Sequence, residues 1–289
     1  MSAEAGPIER TTVTAKAILD RFAATARGSI VLNAVTDVLR SEIADRAMTL
    51  AAQLFTSILP LLIVLSSVGH NDGVDRMIGW AGIIPISDRL EFEGTSSFPS
   101  TTTFSLVGAL MTIISATSYA RALGRFYART WRVPVVTMRS AWRWLAVVVA
   151  TVMAFIAIGL GHLLDNTPIV GEILDVAISF VVWWVIWAYV PHVLTYGRLS
   201  VRILLCAGGM AAVGLTILRI GSALVMPRVY ASAIAQFGVL GIVFTLVGWL
   251  FVFAAIVVGA TIVVSSVARD EAIGRWLGSH LPPRQSATD

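Results

Sequence analysis

Charge is the first scarcity of this chain. Of its 289 residues only 13% are Asp, Glu, Lys or Arg, while 57% are hydrophobic. A soluble domain ordinarily carries about 25% charged residues, so half of that leaves too little to cover a water-facing surface. A soluble enzyme of ordinary build is excluded, and a polytopic membrane protein is implied, with lipid in place of water around most of the chain. Cysteine is nearly absent too. The single Cys206 sits in an apolar run, excludes an intrachain disulfide and leaves no Cys/His pattern with metal-ligand spacing. Catalytic signatures are missing: there is no GxxxxGK[ST] phosphate loop, no HExxH, no GxSxG and no GxGxxG after a strand. The four histidines, His70, His162, His192 and His280, fall near different span ends or in the tail and read as interfacial or solvated. The polar first dozen residues show no removable signal peptide. The expectation is a non-enzyme without cofactor or metal.

What is present is long apolar runs. A spanning helix needs about 20 such residues at 1.5 Å each, because no backbone polar group goes unpaired in hydrocarbon. Six stretches qualify or come close: 47–69, 103–120, 144–164, 173–191, 203–226 and 237–268. The last exceeds a straight span, so it should tilt or project. Basic residues then set orientation, since Lys and Arg near span ends stay cytoplasmic. Seventeen of the 21 fall before span 1, between 2 and 3, between 4 and 5, or after 6. Only Arg76, Arg89 and Arg228 fall on the other side, and Arg219 lies within a span. The expected fold is therefore an all-α, polytopic helical bundle of six transmembrane helices with both termini cytoplasmic. Residues 1–46 form a cytoplasmic N-terminal segment, 47–268 the transmembrane domain and 269–289 a cytoplasmic tail.

Two further segments can be placed. Val31, Val35, Val38, Leu39 and Ile43 recur at helical spacing, with Asp37, Arg40 and Glu42 on other faces. This predicts an amphipathic helix along the cytoplasmic interface or packed on other protein. The loop 70–102, rich in Gly, Ser, Thr and Asp, reads as an outer surface loop or as a plug or lid. Three spans plus three permit a duplicated unit, but the halves share no evident similarity.

Few residues carry chemistry. The densest charge feature is Arg121, Arg125, Arg129, Arg132, Arg139 and Arg143, with no acid among them; the first three repeat every four residues and so form one helical stripe. Interleaved aromatics would also suit nucleic acid. Topology and attraction to anionic headgroups, about 1 kcal/mol per basic residue, explain a juxtamembrane stripe more simply, so nucleic acid is not expected as a partner. The sharper expectation is that Arg121, Arg125, Arg129 and Arg132 line the cytoplasmic mouth of a path for an anionic substrate. Arg219 is the most informative single residue. A charge there costs about 2.5–3.5 kcal/mol on insertion scales, so it must pair or snorkel, and Asp175 near the outer end of span 4 is the candidate partner. Small faces at Ala146, Ala150, Ala154, Ala157 and Gly161, and at Ala255 and Gly259, suit close helix contact. Trp183, Trp184 and Trp187 read as a packed or lipid-facing surface. Pro60, with Gln53 and Ser57 nearby, predicts a kinked first span.

The run Asp45-Arg46-Ala47-Met48-Thr49-Leu50-Ala51-Ala52, leading to Ser57-Ile58-Leu59-Pro60-Leu61-Leu62, resembles the first span of the YihY/BrkB membrane proteins. Tyr119-Ala120-Arg121-Ala122-Leu123-Gly124-Arg125-Phe126-Tyr127, continuing to Arg132-Val133-Pro134, is similar to that family's basic second loop, and 249–260 to its last span. The family often has Glu after the Gly259-Ala260 step, where Thr261 stands here. The resemblance spans about 31–267, its motifs are of moderate specificity, and the YhjD-like branch is the nearest. It implies a bacterial inner-membrane protein with six spans and a transport role for a lipid or envelope component. A tRNA-processing ribonuclease label also circulates in the family, but no acidic metal cluster or His pair suited to phosphodiester chemistry occurs here. The expectation is a plasma-membrane transporter or flippase of an anionic or lipid substrate, in contact with membrane lipids and compatible with a homo-oligomer. The competing reading is a non-transporting scaffold that binds anionic lipids or partner proteins.

Overall fold

The computed structural model describes residues 43–67, 102–161 and 170–278. The expected amphipathic helix, apart from Ile43, lies outside these residues, as do the 70–102 loop, apart from Thr102, and His70, His162 and His280. Among the described residues there are seven α-helices and no strand: α1 (Ile43–Ser67), α2 (Thr102–Trp131), α3 (Trp142–Gly161), α4 (Val170–Leu194), α5 (Val201–Phe237), α6 (Val239–Val267) and α7 (Glu271–Leu277), with a 3₁₀ turn at Met138–Ser140 between α2 and α3. The described part of the chain is all-helical. A helix stands over each of the six apolar stretches. Three runs among the described residues, Ile173–Leu194, Val201–Phe237 and Leu240–Val267, are long and apolar enough to cross a membrane.

Two helices overrun the boundaries that hydropathy suggested. The apolar stretch 103–120 is only the first part of α2, which continues as one helix through the arginine stripe to Trp131. The continuation is amphipathic: Leu123, Tyr127 and Trp131 are buried, whereas Arg125 and Arg129 are exposed. Likewise α5 does not stop at residue 226. It runs 37 residues, through Pro227, to Phe237, about 55 Å at 1.5 Å per residue. Gly238, at φ 58°, then turns the chain directly into α6, a left-handed conformation that glycine adopts without steric cost. The next glycine, Gly241, is needed for space: a Cβ there would stand 2.3 Å from the Ala233 carbonyl oxygen.

α1 packs on α2 and α6, α5 packs on α4 and α6, and α3 leans on α4. The buried apolar residues gather toward the end of the bundle where α1 begins and α2, α4 and α6 finish, among them Ala47, Leu123, Leu194, Ile203 and Val258. Toward the other end, large side chains such as Met111, Ile114, Ile217, Leu224 and Phe244 are exposed, as lipid-facing residues are. Polar residues tie the helices where they face inward. Ser118 of α2 donates to Gln53 Oε1 of α1 at 2.9 Å, and Tyr127 of α2 shares a hydrogen bond with Thr261 of α6. Gln53 thus serves a helix contact, while the Ser57 hydroxyl bonds back within α1 to the Gln53 carbonyl at 2.9 Å. Thr261, standing where the similar family often has Glu, bonds back to the Val257 carbonyl at 2.9 Å and is buried.

Candidate functional site

The charge pair expected between spans 4 and 5 is formed. Arg219 Nη2 and Asp175 Oδ2 make a salt bridge, and Arg219 Nη1 donates to Ser179 Oγ at 2.6 Å. Ser179, one turn from Asp175, in turn bonds back to the Asp175 carbonyl at 2.6 Å. Helix geometry explains why these residues meet. Arg219 lies 18 residues into α5 and Asp175 lies 19 residues before the end of α4. In an antiparallel hairpin both therefore sit about 27–28 Å from the α4–α5 turn at 1.5 Å per residue. Asp175 and Ser179 are buried, and the Arg219 side chain keeps 24% of its surface exposed. The guanidinium fork is thereby divided between a carboxylate and a hydroxyl, which matches its planar donor geometry.

Close approach of the two helices holds this register. A Cβ on Gly208 would stand 2.7 Å from the Ala188 nitrogen and 2.8 Å from the Trp184 carbonyl oxygen. The Trp184 indole donates to the Leu205 carbonyl at 2.9 Å, closing the seam. Sequence reading missed Ser179 and Gly208. Serine in an apolar run carries no signal by itself, but its placement four residues after Asp175 on one helix face could have marked it. Of the expected small faces, Ala146, Ala150 and Ala154 do pack against the core, while Ala157 is exposed. Gly259 has open space where a side chain would stand.

The arginines between α2 and α3 are not one uniform patch. Arg121 lies 5.6 Å from the Trp144 ring centre, and Arg125, Arg129, Arg132 and Arg139 are exposed. Arg143 is a structural fastener: its guanidinium lies 4.3 Å from the Tyr196 ring centre and 5.0 Å from that of Trp142, and Nη1 donates to the Val193 carbonyl at 2.7 Å. The cation–π contact with Tyr196 joins the start of α3 to the α4–α5 turn. Helices α2 and α4 both end with a non-glycine residue in the left-handed region, Arg132 at φ 52° and Tyr196 at φ 59°. Val133 N–H closes on the Ala128 carbonyl at 3.0 Å and Gly197 N–H on the His192 carbonyl at 2.9 Å, the six-to-one closure that usually favours glycine. Tyr196 titrates below the usual phenol range because Ser140, then Thr137 and Arg143, favour its ionised form; the Thr137 N–H donates to its hydroxyl at 3.2 Å. Next to this turn, Ser200 caps α5, its Oγ accepting from Ile203 N–H at 3.4 Å. The same hydroxyl donates to the Leu277 carbonyl at the end of α7. Arg202 adds a hydrogen bond to the Trp276 carbonyl at 2.5 Å and lies 5.4 Å from that ring centre.

The Arg219 group and the arginine-bearing end are separated by about half the length of α5, some 27 Å at 1.5 Å per residue, so the structure does not bring the two sets into one site. Among the described residues no group of three His, Cys, Asp or Glu could hold a metal ion. His192 packs its ring beneath Gly197, whose Cβ position stands 3.3 Å from it. Comparison with protein-family models, with curated proteins and with solved structures yields no match.

Proposed function

We propose that the protein is a six-span integral protein of the bacterial plasma membrane, with both termini cytoplasmic, that moves an anionic lipid or envelope component across the bilayer. The resemblance to YihY/BrkB proteins agrees with this reading. The observation that carries it is the Arg219–Asp175–Ser179 group. Charged residues within spanning helices are costly and mark substrate or ion paths, and this pair lies near the edge of a hydrocarbon slab about 30 Å thick, within reach of a headgroup. At the opposite, arginine-bearing end, the exposed Arg125, Arg129 and Arg132 supply attraction for the same anionic headgroups before entry. Asp175 occupies Arg219 in the resting state, and a phosphate competes for the same donors with bidentate geometry.

The test is lipid movement in proteoliposomes that contain fluorescently tagged phosphatidylglycerol, followed by quenching of the outer leaflet with dithionite. Wild-type protein is expected to expose the inner-leaflet label faster than protein-free vesicles, and Arg219→Leu to slow it at least tenfold. A wild-type rate equal to that of empty vesicles removes the proposal.

A second reading, a non-transporting scaffold that binds anionic lipid, is favoured by the backbone-level approach of α5 to α4 at Gly208 and by the Ile256 side chain pressed against Gly214. Cysteines placed around Arg219 in a Cys206→Ala background separate the two. Reaction with a water-soluble thiol reagent at helical spacing supports a path, and inertness at every position supports the scaffold.

A further inference from the structure

The α2–α3 connection leaves large apolar side chains in the open although it is firmly held. Val136 is buried in the core, the Thr137 N–H donates to the Tyr196 hydroxyl, and Arg143 Nη1 donates to the Val193 carbonyl. On this fixed turn Met138 is 74% exposed, and Trp142, four residues on at the start of α3, is 60% exposed. The exposed apolar face does not end there. It runs on along α3 through Leu145, Val149, Val152 and Met153, at the helical spacings of three and four. Basic residues flank its foot: Arg139 stands beside Met138, and Arg132 and Arg129 are exposed at the end of α2. Neither α2, nor α3, nor the chain between them carries an acid.

Two observations fix the height of this foot. α3 has 20 residues, about 30 Å at 1.5 Å per residue, which is the thickness of the hydrocarbon. Arg121, the first charge of α2 after its apolar part, lies 5.6 Å from the Trp144 ring centre, so both helices leave the apolar zone at one level. Met138, Arg139 and Trp142 stand close to that level, where indole rings and basic side chains gather in membrane proteins. We infer that the foot of α3 is a seat for an anionic phospholipid of the cytoplasmic leaflet. Its acyl chains lie along Leu145, Val149 and Val152, the Trp142 ring lies at the level of the glycerol, and Arg139 meets the phosphate. A second copy is a poorer occupant, because a two-fold contact sets the same basic patch against itself. A soluble acidic partner matches the charge but not the apolar face that continues down α3. The seat rests on the six-span reading for α3 and not on transport.

The experiment places a fluorescent label on Met138→Cys in the full chain with Cys206→Ala, reconstituted in phosphatidylcholine vesicles that hold a small fraction of nitroxide lipid. The nitroxide sits near the ester of either phosphatidylglycerol or phosphatidylcholine. Phosphatidylglycerol is expected to quench at least about fivefold more effectively at equal mole fraction, and Arg139→Gln to cut that preference about fivefold, the worth of one arginine at an anionic surface. Elution as a single monodisperse species shows that each labelled variant folds. Equal quenching by the two lipids overturns the seat, as does a preference that survives Arg139→Gln. So does quenching by aqueous iodide without quenching by lipid, or protection from both, which gives the turn to water or to a second copy. A label on Val152→Cys, ten residues or about 15 Å into α3, separates the two readings. Quenching there by a nitroxide deep in the acyl chain, alongside any of those failures, removes the seat alone. No quenching there removes the six-span reading and the seat with it.

Discussion

Separating Arg219 from Asp175 is expected to produce an asymmetric loss of stability. Truncating one partner of a buried ion pair costs about 3–5 kcal/mol, because the remaining charge is left uncompensated. The two partners are not equally trapped. Arg219 keeps 24% of its side chain exposed and Asp175 10%. The long Arg219 stem can carry its head outward while retaining Ser179, so Asp175→Leu should cost only about 1–2 kcal/mol after that relief. The short Asp175 side chain has no such exit, and Arg219→Leu should cost about 3 kcal/mol. The double variant Asp175→Leu, Arg219→Leu removes both charges and should return to within about 1 kcal/mol of wild type, since replacing a whole buried pair with apolar groups is often neutral. The coupling is thus about 3–5 kcal/mol. Reversible unfolding in mixed micelles, followed by far-ultraviolet circular dichroism, measures all four corners of the cycle. Single-variant losses that add in the double variant to within about 0.5 kcal/mol would refute the reasoning, whatever their individual sizes.

Gly208→Ala places a methyl against the Ala188 and Trp184 backbone, so α4 and α5 must part; a loss of about 1–3 kcal/mol is expected from overpacking, measured in the same micelles. Arg132→Gly relieves a left-handed non-glycine residue at φ 52° and should stabilise the fold by about 1 kcal/mol, while vesicle co-sedimentation shows weaker binding to anionic lipid. Ser200→Ala removes both the α5 cap and the donor to Leu277; a loss of about 1–2 kcal/mol should accompany faster proteolysis within 271–278. Ser140→Ala should return the Tyr196 phenol upward toward the usual tyrosine range, read from absorbance at alkaline pH. A depressed phenol pKa adds stability that is full above the unfolded value and is lost as pH falls through the folded one, so the variant's deficit should appear only in alkaline solution.

The helical class and the approximate place of each helix were legible because lipid demands long apolar runs, and such runs are visible without knowledge of contacts. Arg219 and Asp175 were legible for the same reason, as charges standing where charge is costly. Helix ends were not legible. At α2 the hydropathy signal stops at Ala120, yet the helix persists because its far part buries Leu123, Tyr127 and Trp131 against protein. At α5 Pro227 reads as a stop, yet the helix passes through it. Ser179 and Gly208 were invisible because their importance lies in which backbone faces them. The six arginines from Arg121 to Arg143 were read as one dense charge feature, whereas rings of α3 and of the α4–α5 turn engage two of them, Arg121 and Arg143.

The contact between Ser200 and Leu277 has a consequence for biosynthesis. The N-terminal cap of α5 emerges from the ribosome 77 residues before the carbonyl that engages it. Until that later segment has been made, the α4–α5 turn is exposed with its Ser200 and Arg202 donors unoccupied by α7. Synthesis of α5 and α6 and closure of α7 on the α4–α5 turn are therefore separate events in time, the second possible only after the first.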